Sequence, residues 1–213
     1  RVHTVRDPGR SPLANSPEPM GLTGGGPEIL ASLQSPPLLD LLRVVNKESN
    51  NLFAETVGKT VGRTMLGDGS FSGGQEVIRS FLLEKVGISP RELDGRDGSG
   101  LSPRNRVSPR VLVQLLAYMT ESPNWGDFLG TLPVAGTRRE LGRMYRSPAA
   151  GNLRAKTGTM EGVSALSGIV TTRTGERILF SILSNEVASE YRAKRAEDQL
   201  GIRLASLRRP LPN

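Results

Sequence analysis

The sequence predicts an α/β protein of the α+β kind, in which a helical cluster is followed by an antiparallel sheet and a C-terminal helix. Apolar residues recur at helical spacing in the first half of the 213-residue chain, a pattern that indicates amphipathic helices. Three short runs rich in apolar and β-branched residues follow, and Arg173-Thr174-Gly175 joins the last two at the length of a hairpin turn. The charged stretch 187–200 then returns to helical spacing.

Domain organisation follows from the distribution of proline and glycine. Residues 1–27 are predicted to be a linker, because five prolines and the run Gly24-Gly25-Gly26 prevent regular structure there. We predict one folded region over 28–207, followed by a tail over 208–213.

The first two helices are separated by a polar junction. Pro36-Pro37 open the first helix, since proline is well tolerated in a first turn. The pattern ends at the polar run 46–51. A second apolar helix begins at Leu52 and is predicted to stop near Gly62, because glycine commonly ends a helix.

Two more helices are predicted before the sheet. The third follows Gly73-Gly74, and the fourth begins at Ser108-Pro109, a serine cap followed by proline at the first helical position. Between them, 88–104 form a polar loop. The segment 123–150 is predicted to be irregular, with a short helix near 138–145.

The three strands are predicted at 152–159, 163–172 and 177–184. The first carries Lys156-Thr157-Gly158 and is predicted to lie at a sheet edge. Such an edge can pair with an extended peptide. The lysine and threonine could receive a carboxylate, and the glycine lets another backbone come close.

Ser49-Asn50-Asn51 lies at the junction of the first two helices, where side chains can project into a cleft. Taken alone, these residues are equally compatible with a plain helix cap, which Ser and Asn favour. Likewise, Lys156 alone could be a solvent-facing strand lysine.

Composition narrows the function classes. The chain has no cysteine and one histidine, His3, which excludes a disulfide scaffold and a cysteine nucleophile and leaves no metal site to expect. The net charge is +7, but no aromatic platform or nucleic-acid motif accompanies the cations, so no nucleic-acid partner is predicted. No apolar run approaches the ~20 residues of a membrane span, so no transmembrane segment is predicted.

The ordered motifs resemble those of the D-alanyl-D-alanine carboxypeptidase/endopeptidase group of low-molecular-mass (class C) penicillin-binding proteins, peptidase family S13. The resemblance covers roughly 30–200 and implies part of the serine β-lactamase/penicillin-binding transpeptidase-like fold. It rests on four blocks, which are Ser35-Pro36-Pro37-Leu38 with Asn46-Lys47-Glu48-Ser49-Asn50-Asn51-Leu52, Asp97-Gly98-Ser99-Gly100-Leu101-Ser102, Leu132-Pro133-Val134-Ala135-Gly136-Thr137, and Ala155-Lys156-Thr157-Gly158-Thr159.

The resemblance implies three catalytic residues. Ser49 would relay a proton toward the leaving amine. Asn51 would hydrogen-bond the substrate's peptide carbonyl and help hold the catalytic lysine. Lys156 would supply positive potential near Ser49. No cofactor is implied.

The resemblance also implies substrate-binding residues along the strand. Thr157 would bind the carboxylate of a terminal D-alanine, and Gly158 would keep the strand open. The backbone N–H of Thr159 would form half of an oxyanion hole. Met160 and Leu101 would be pocket walls around the acyl donor's side chain.

The implied activity is that of a serine-type hydrolase in cell-wall remodelling. It would act on peptidoglycan stem peptides ending in D-Ala-D-Ala through an acyl-enzyme. β-Lactam antibiotics would inhibit the full-length enzyme, and the location would be periplasmic or otherwise extracytoplasmic.

One family motif is missing from the sequence. In the family the nucleophile lies in Ser-x-x-Lys, and none of the five lysines has serine three residues before it. Thr56-Val57-Gly58-Lys59 has the spacing only. The family's arginine after Gly-Leu-Ser is also replaced, by Pro103. We therefore expect the C-terminal portion of a longer protein, inactive alone. The alternative is a non-catalytic pseudo-enzyme that binds peptidoglycan peptides.

Overall fold

The computed structural model describes residues 34–208, so the predicted linker over 1–27 and the tail beyond 208 lie outside the described residues. The chain divides into two units, Arg1–Leu38 and Leu39–Asn213, and the elements belong to the second apart from Leu38. In order, they are α1 (Leu38–Lys47), α2 (Asn51–Leu66), α3 (Phe71–Glu84), β1 (Leu93–Asp94), β2 (Arg106–Val107), α4 (Pro109–Thr120), α5 (Trp125–Thr131), β3 (Arg154–Met160), β4 (Val163–Thr171), β5 (Arg177–Ser184) and α6 (Glu190–Ser206).

The main sheet is antiparallel, in the order β3-β4-β5. Lys156 pairs with Ser167, and Ser167 pairs in turn with Ser181 on β5. The predicted hairpin between β4 and β5 is present, and Gly175 adopts a positive φ of 87° in its turn. Within the described part of the chain, β3 is an outer strand, which places Lys156-Thr157-Gly158 at an edge as predicted.

The two faces of the sheet follow from the alternation of side chains along each strand. Leu153, Ala155, Leu166 and Val170 are fully buried and belong to one core cluster, which also contains Ala205 of α6. Lys156, Gly158 and Met160 alternate with these buried positions and therefore point to the other face. The burial of one face fixes the register and so fixes which residues of β3 lie on the opposite face.

Helix α2 does not stop near Gly62, as the sequence suggested, but continues to Leu66 and ends at Gly67, whose φ of 74° is left-handed. Gly58 and Gly62 are buried inside the helix. Gly73 and Gly74, predicted to precede α3, lie inside its first turn and are also buried. A Cβ at Gly62 would clash with the backbone of Gly73 and Gly74, and a Cβ at Gly74 would clash with the backbone of Gly58. Gly62 and Gly74 therefore allow the two helices to pack closely instead of ending a helix.

The short helix predicted near 138–145 is absent from that segment, and α5 lies earlier. The carbonyls of Leu141 and Arg143 both accept a hydrogen bond from the N–H of Gly136, at 2.8 Å each. In an α-helix, each carbonyl would accept the N–H of the residue four positions later. Here both carbonyls accept the N–H of Gly136, which precedes them in the chain. Met144 and Arg146 have φ of 61° and 55°, which no α-helix allows.

The predicted start of α4 is confirmed. Ser108 has an extended backbone, its Oγ accepts the N–H of Val111 at 3.3 Å, and Pro109 is the first helical residue. Among residues 34–208, no helix is long and apolar enough to cross a membrane.

Candidate active site

The junction between α1 and α2 projects Ser49 in an unusual backbone conformation. Ser49 has a φ of 55°, in the left-handed region that serine rarely adopts. The next residue, Asn50, is the N-cap of α2, and its Oδ1 accepts the N–H of Phe53 at 3.0 Å. A strained residue costs on the order of 1 kcal/mol and persists where the surrounding structure holds it, often at a functional site.

Lys156 contacts Ser49 directly. Its Nζ donates to Ser49 Oγ at 2.8 Å and to the carbonyl oxygen of Thr157 at 2.9 Å. The two residues are 107 positions apart in the sequence. The fold therefore brings the helix junction and the strand edge together at one point.

Burial lowers the pKa of Lys156 below its ordinary value of 10.5. Desolvation disfavours the charged ammonium, so the proton is held less tightly than on a surface lysine. A lowered pKa brings the amine closer to the range in which a group both gives and takes a proton efficiently. The contact with Ser49 therefore joins an amine of lowered pKa to a hydroxyl group.

Replacing Lys156 by methionine is expected to raise the free energy of unfolding at pH 7 by about 1 kcal/mol, because methionine occupies the partly buried site without a charge to desolvate. The folded state binds the proton of Lys156 less tightly than the unfolded state does. The cost of burying the charge is therefore complete below the folded pKa and disappears as the pH rises toward 10.5. Urea unfolding between pH 7 and 10.5 should show the advantage of Lys156→Met shrinking. Lys85→Met, at an exposed lysine, should show no such trend, and a constant difference would contradict the prediction.

A groove of about 610 Å³ lies beside the Ser49–Lys156 contact. Asn51 at the start of α2 and Leu101 of the 97–105 loop line one side, while Gly158, Thr159 and Met160 of β3 line the other. Five of the predicted site residues thus share one groove.

Two carboxylates hold the loop that carries Leu101. Asp97 accepts the N–H groups of Gly100 at 2.7 Å and Ser102 at 2.6 Å. Glu55 accepts the N–H groups of Gly98 at 3.1 Å and Ser99 at 3.2 Å. Sequence reasoning missed Glu55. The available signal was its position four residues after Asn51, which places both on one side of α2.

The free edge of β3 presents backbone groups toward the same groove. The N–H of Ala155 donates to the carbonyl oxygen of Pro133 at 3.0 Å, so it points away from β4. Since backbone N–H directions alternate along a strand, those of Thr157 and Thr159 also point to the side away from β4.

Three of the predicted site residues do not line the groove, namely Ser49, Lys156 and Thr157. Ser49 and Lys156 are in contact with each other. The third residue, Thr157, follows Lys156 in β3. It pairs with Leu166, a fully buried residue, and its side chain shares the face of Ala155. Its carbonyl oxygen is engaged by Lys156 at 2.9 Å. Over residues 34–208, no group of three or more His, Cys, Asp or Glu side chains could hold a metal ion.

Comparison with known proteins gives consistent matches. The model of the D-Ala-D-Ala carboxypeptidase 3 (S13) family matches residues 21–207. Carboxypeptidase DacB of Mycolicibacterium smegmatis is 35% identical over 174 residues, which cover 78% of this chain and 37% of that protein. The D-alanyl-D-alanine carboxypeptidase of an Actinomadura species is 35% identical over 184 residues, covering 84% of this chain and 34% of that protein.

A solved structure shows the same fold. The crystal structure of penicillin binding protein 4 from Haemophilus influenzae, complexed with a β-lactam, superposes with a TM-score of 0.68 and 27% identity, covering 80% of this chain and 42% of that one. The chain therefore spans between about a third and two-fifths of the length of these relatives. The predicted fold class is confirmed, and the chain belongs to the D-Ala-D-Ala carboxypeptidase 3 (S13) family.

Proposed function

We propose that these residues form two walls of the active site of a serine-type D-Ala-D-Ala carboxypeptidase/endopeptidase. The substrate would be peptidoglycan stem peptides ending in D-Ala-D-Ala, and the enzyme would work outside the cytoplasm in cell-wall remodelling. The observation that carries the proposal is the 2.8 Å contact between Lys156 Nζ and Ser49 Oγ, beside a groove bounded by a free strand edge.

Substrate binding would use the edge of β3. An extended peptide can add to such an edge through main-chain hydrogen bonds. Gly158 has no side chain to block that approach, and Leu101 and Met160 would contact the donor's side chain. The N–H of Thr159 would donate to the carbonyl oxygen under attack, a contact worth about 10²–10³ in rate. The Thr157 hydroxyl would bind the terminal carboxylate, which requires it to reach the groove from the face that it shares with Ala155.

Proton transfer would use Ser49 and Lys156. In acylation, an ester bond forms between the nucleophilic serine and the substrate carbonyl, and the bond to the terminal D-alanine breaks. The leaving amine must gain a proton, and Ser49, hydrogen-bonded to Lys156, would deliver it. Asn51 would hydrogen-bond the substrate's peptide carbonyl and help hold the catalytic lysine. Water then hydrolyses the ester.

The nucleophile of this scheme belongs to Ser-x-x-Lys, which does not occur in these 213 residues. Thr56 has the required spacing to Lys59, but its Oγ1 donates to the carbonyl oxygen of Leu52 at 2.8 Å within α2. This hydroxyl is committed to the helix backbone and is not placed to attack a bound peptide.

The 213-residue chain is therefore expected to give no covalent adduct with a fluorescent penicillin, by in-gel fluorescence and intact mass. Penicillin binding protein 4 of Haemophilus influenzae serves as the positive control in the same gel. A specific adduct of one penicillin per chain would show that a nucleophile exists within these residues.

A second candidate function is a non-catalytic relative that binds stem peptides, and the missing Ser-x-x-Lys favours it. The reading frame upstream of Arg1 separates the two. An in-frame Ser-x-x-Lys preceded by an export signal supports the enzyme and makes β-lactams its inhibitors. A start codon directly before Arg1 supports the binding protein.

A further inference from the structure

An ion pair joins the end of α1 to the segment before β3. The Nζ of Lys47 lies 2.6 Å from Oε1 of Glu140. The other oxygen of the carboxylate, Oε2, accepts the N–H of Val134 at 2.7 Å. The two charged side chains are only 27% and 19% exposed, so solvent competes weakly for these contacts.

The strand side of this connection reaches Lys156 through backbone pairing. Val134 bridges Arg154 in antiparallel fashion. On either side of it, Pro133 accepts the N–H of Ala155 at 3.0 Å, and Ala135 donates to Leu153 at 2.9 Å. Lys156 follows directly in the strand.

The helix side of the connection reaches Ser49. Lys47 is the last residue of α1 and stands two positions before Ser49. Asn46 adds a second anchor, because its Nδ2 donates to Oγ1 of Thr131 at 2.7 Å, and Thr131 is only 2% exposed. Both ends of the Ser49–Lys156 contact are thus tied to the chain between 131 and 140.

These contacts fit a positioning role better than a stabilising one. A partly exposed ion pair contributes only about 0–1 kcal/mol to stability. Glu140, however, uses one carboxylate oxygen to bind Lys47 of α1 and the other to bind the backbone of Val134, which pairs with the residues of β3. Burial acts to raise its pKa, but the hydrogen bonds from Lys47 and Val134 outweigh it and hold the pKa below the ordinary value. The carboxylate is therefore ionised at neutral pH, with both oxygens accepting.

We propose that Glu140 is a positioning residue, which sets the contact between Ser49 and Lys156 by joining Lys47 at the end of α1 to the backbone that pairs with β3. This role in catalysis rests on the proposed function. The effect of Glu140 on the distance between Ser49 and Lys156 does not depend on that function.

The geometric test is a crystal structure of Glu140→Gln in the full chain. Glutamine keeps the shape but has one acceptor oxygen, so it cannot serve both Lys47 and Val134. We expect the Lys156 Nζ to Ser49 Oγ distance, 2.8 Å here, to exceed hydrogen-bonding range. Glu84→Gln, at an exposed carboxylate of α3, should leave it unchanged. A retained contact in Glu140→Gln would overturn the proposal. Lys47→Met breaks the same ion pair, should lengthen the same distance, and replaces Glu140→Gln if that variant does not fold.

The kinetic test uses the full-length gene product with a D-Ala-D-Ala peptide. A misplacement of about 1 Å can cost on the order of 10²-fold, so Glu140→Gln should lower kcat by about 10- to 100-fold with KM nearly unchanged. A changed KM with unchanged kcat would contradict the positioning role. If the unsubstituted product hydrolyses nothing, the proposed function fails, and the crystal structures still decide whether Glu140 sets the contact.

Discussion

Gly74→Ala is expected to destabilise the chain by about 3 kcal/mol, the upper part of the usual range for overpacking. A Cβ at Gly74 would lie 2.6 Å from the carbonyl oxygen and 2.9 Å from the carbonyl carbon of Gly58, both backbone atoms of α2. Backbone cannot move aside as the tip of a side chain can. Alanine normally gains up to about 1 kcal/mol over glycine in a helix, and the clash outweighs that gain. A drop in the urea midpoint without a change in slope would measure the loss.

Gly126→Ala is the matched control for this prediction. Gly126 lies inside α5, and a Cβ there would meet nothing within 4 Å. The same change is therefore expected to be neutral or to stabilise by about 0.4–1 kcal/mol. If both variants unfold at the same urea concentration, the close approach of α2 and α3 is not what the glycines provide.

The sheet could be predicted from the sequence because its signals are local. Runs of apolar and β-branched residues, the turn residues Arg173-Thr174-Gly175 and a return to helical spacing lie within a few dozen residues of one another. The prediction that Lys156-Thr157-Gly158 lies at an edge agrees with the strand order. The start of α4 was predictable for the same reason, since Ser108 caps the N–H of Val111 three residues on.

The helix pair could not be predicted correctly because glycine has two uses. It ends helices by adopting a positive φ, as Gly67 does, and it permits close packing by lacking a Cβ, as Gly62 does. Only the partner helix distinguishes these uses. The sequence around Gly62 contains no information about the distance to Gly74.

Within the site, the motif residues were predictable and their supports were not. Ser49 and Lys156 were identified by their motifs, and the fold places them in contact. Glu55 and Glu140 hold the loop and the helix end across 43 and 93 residues. A single carboxylate that binds a distant part of the chain leaves no spacing pattern to that partner. Glu140 therefore gave no sequence signal, and Glu55 gave only its helical spacing from Asn51.

Arg143→Ala is expected to cost about 3–5 kcal/mol, the typical loss when one partner of a buried ion pair is removed. The guanidinium donates to Oε2 of Glu197 at 2.8 Å, to Oδ1 of Asp198 at 2.8 Å and to the carbonyl oxygen of Lys194 at 2.7 Å. Glu197 is 1% exposed and is also bonded by Ser164 Oγ at 2.6 Å. Without the arginine, an uncompensated carboxylate stays in the core. Urea unfolding at pH 7 would measure the loss.

Two further variants identify the cause of that loss. Arg43→Ala removes an exposed arginine, whose ion pair with Asp40 has side chains 46% and 50% exposed, and should change stability by less than about 0.5 kcal/mol. Arg143→Ala combined with Glu197→Gln removes the buried charge as well and should recover part of the loss. If the double variant is no more stable than Arg143→Ala alone, lost packing and not the unpaired charge explains the effect.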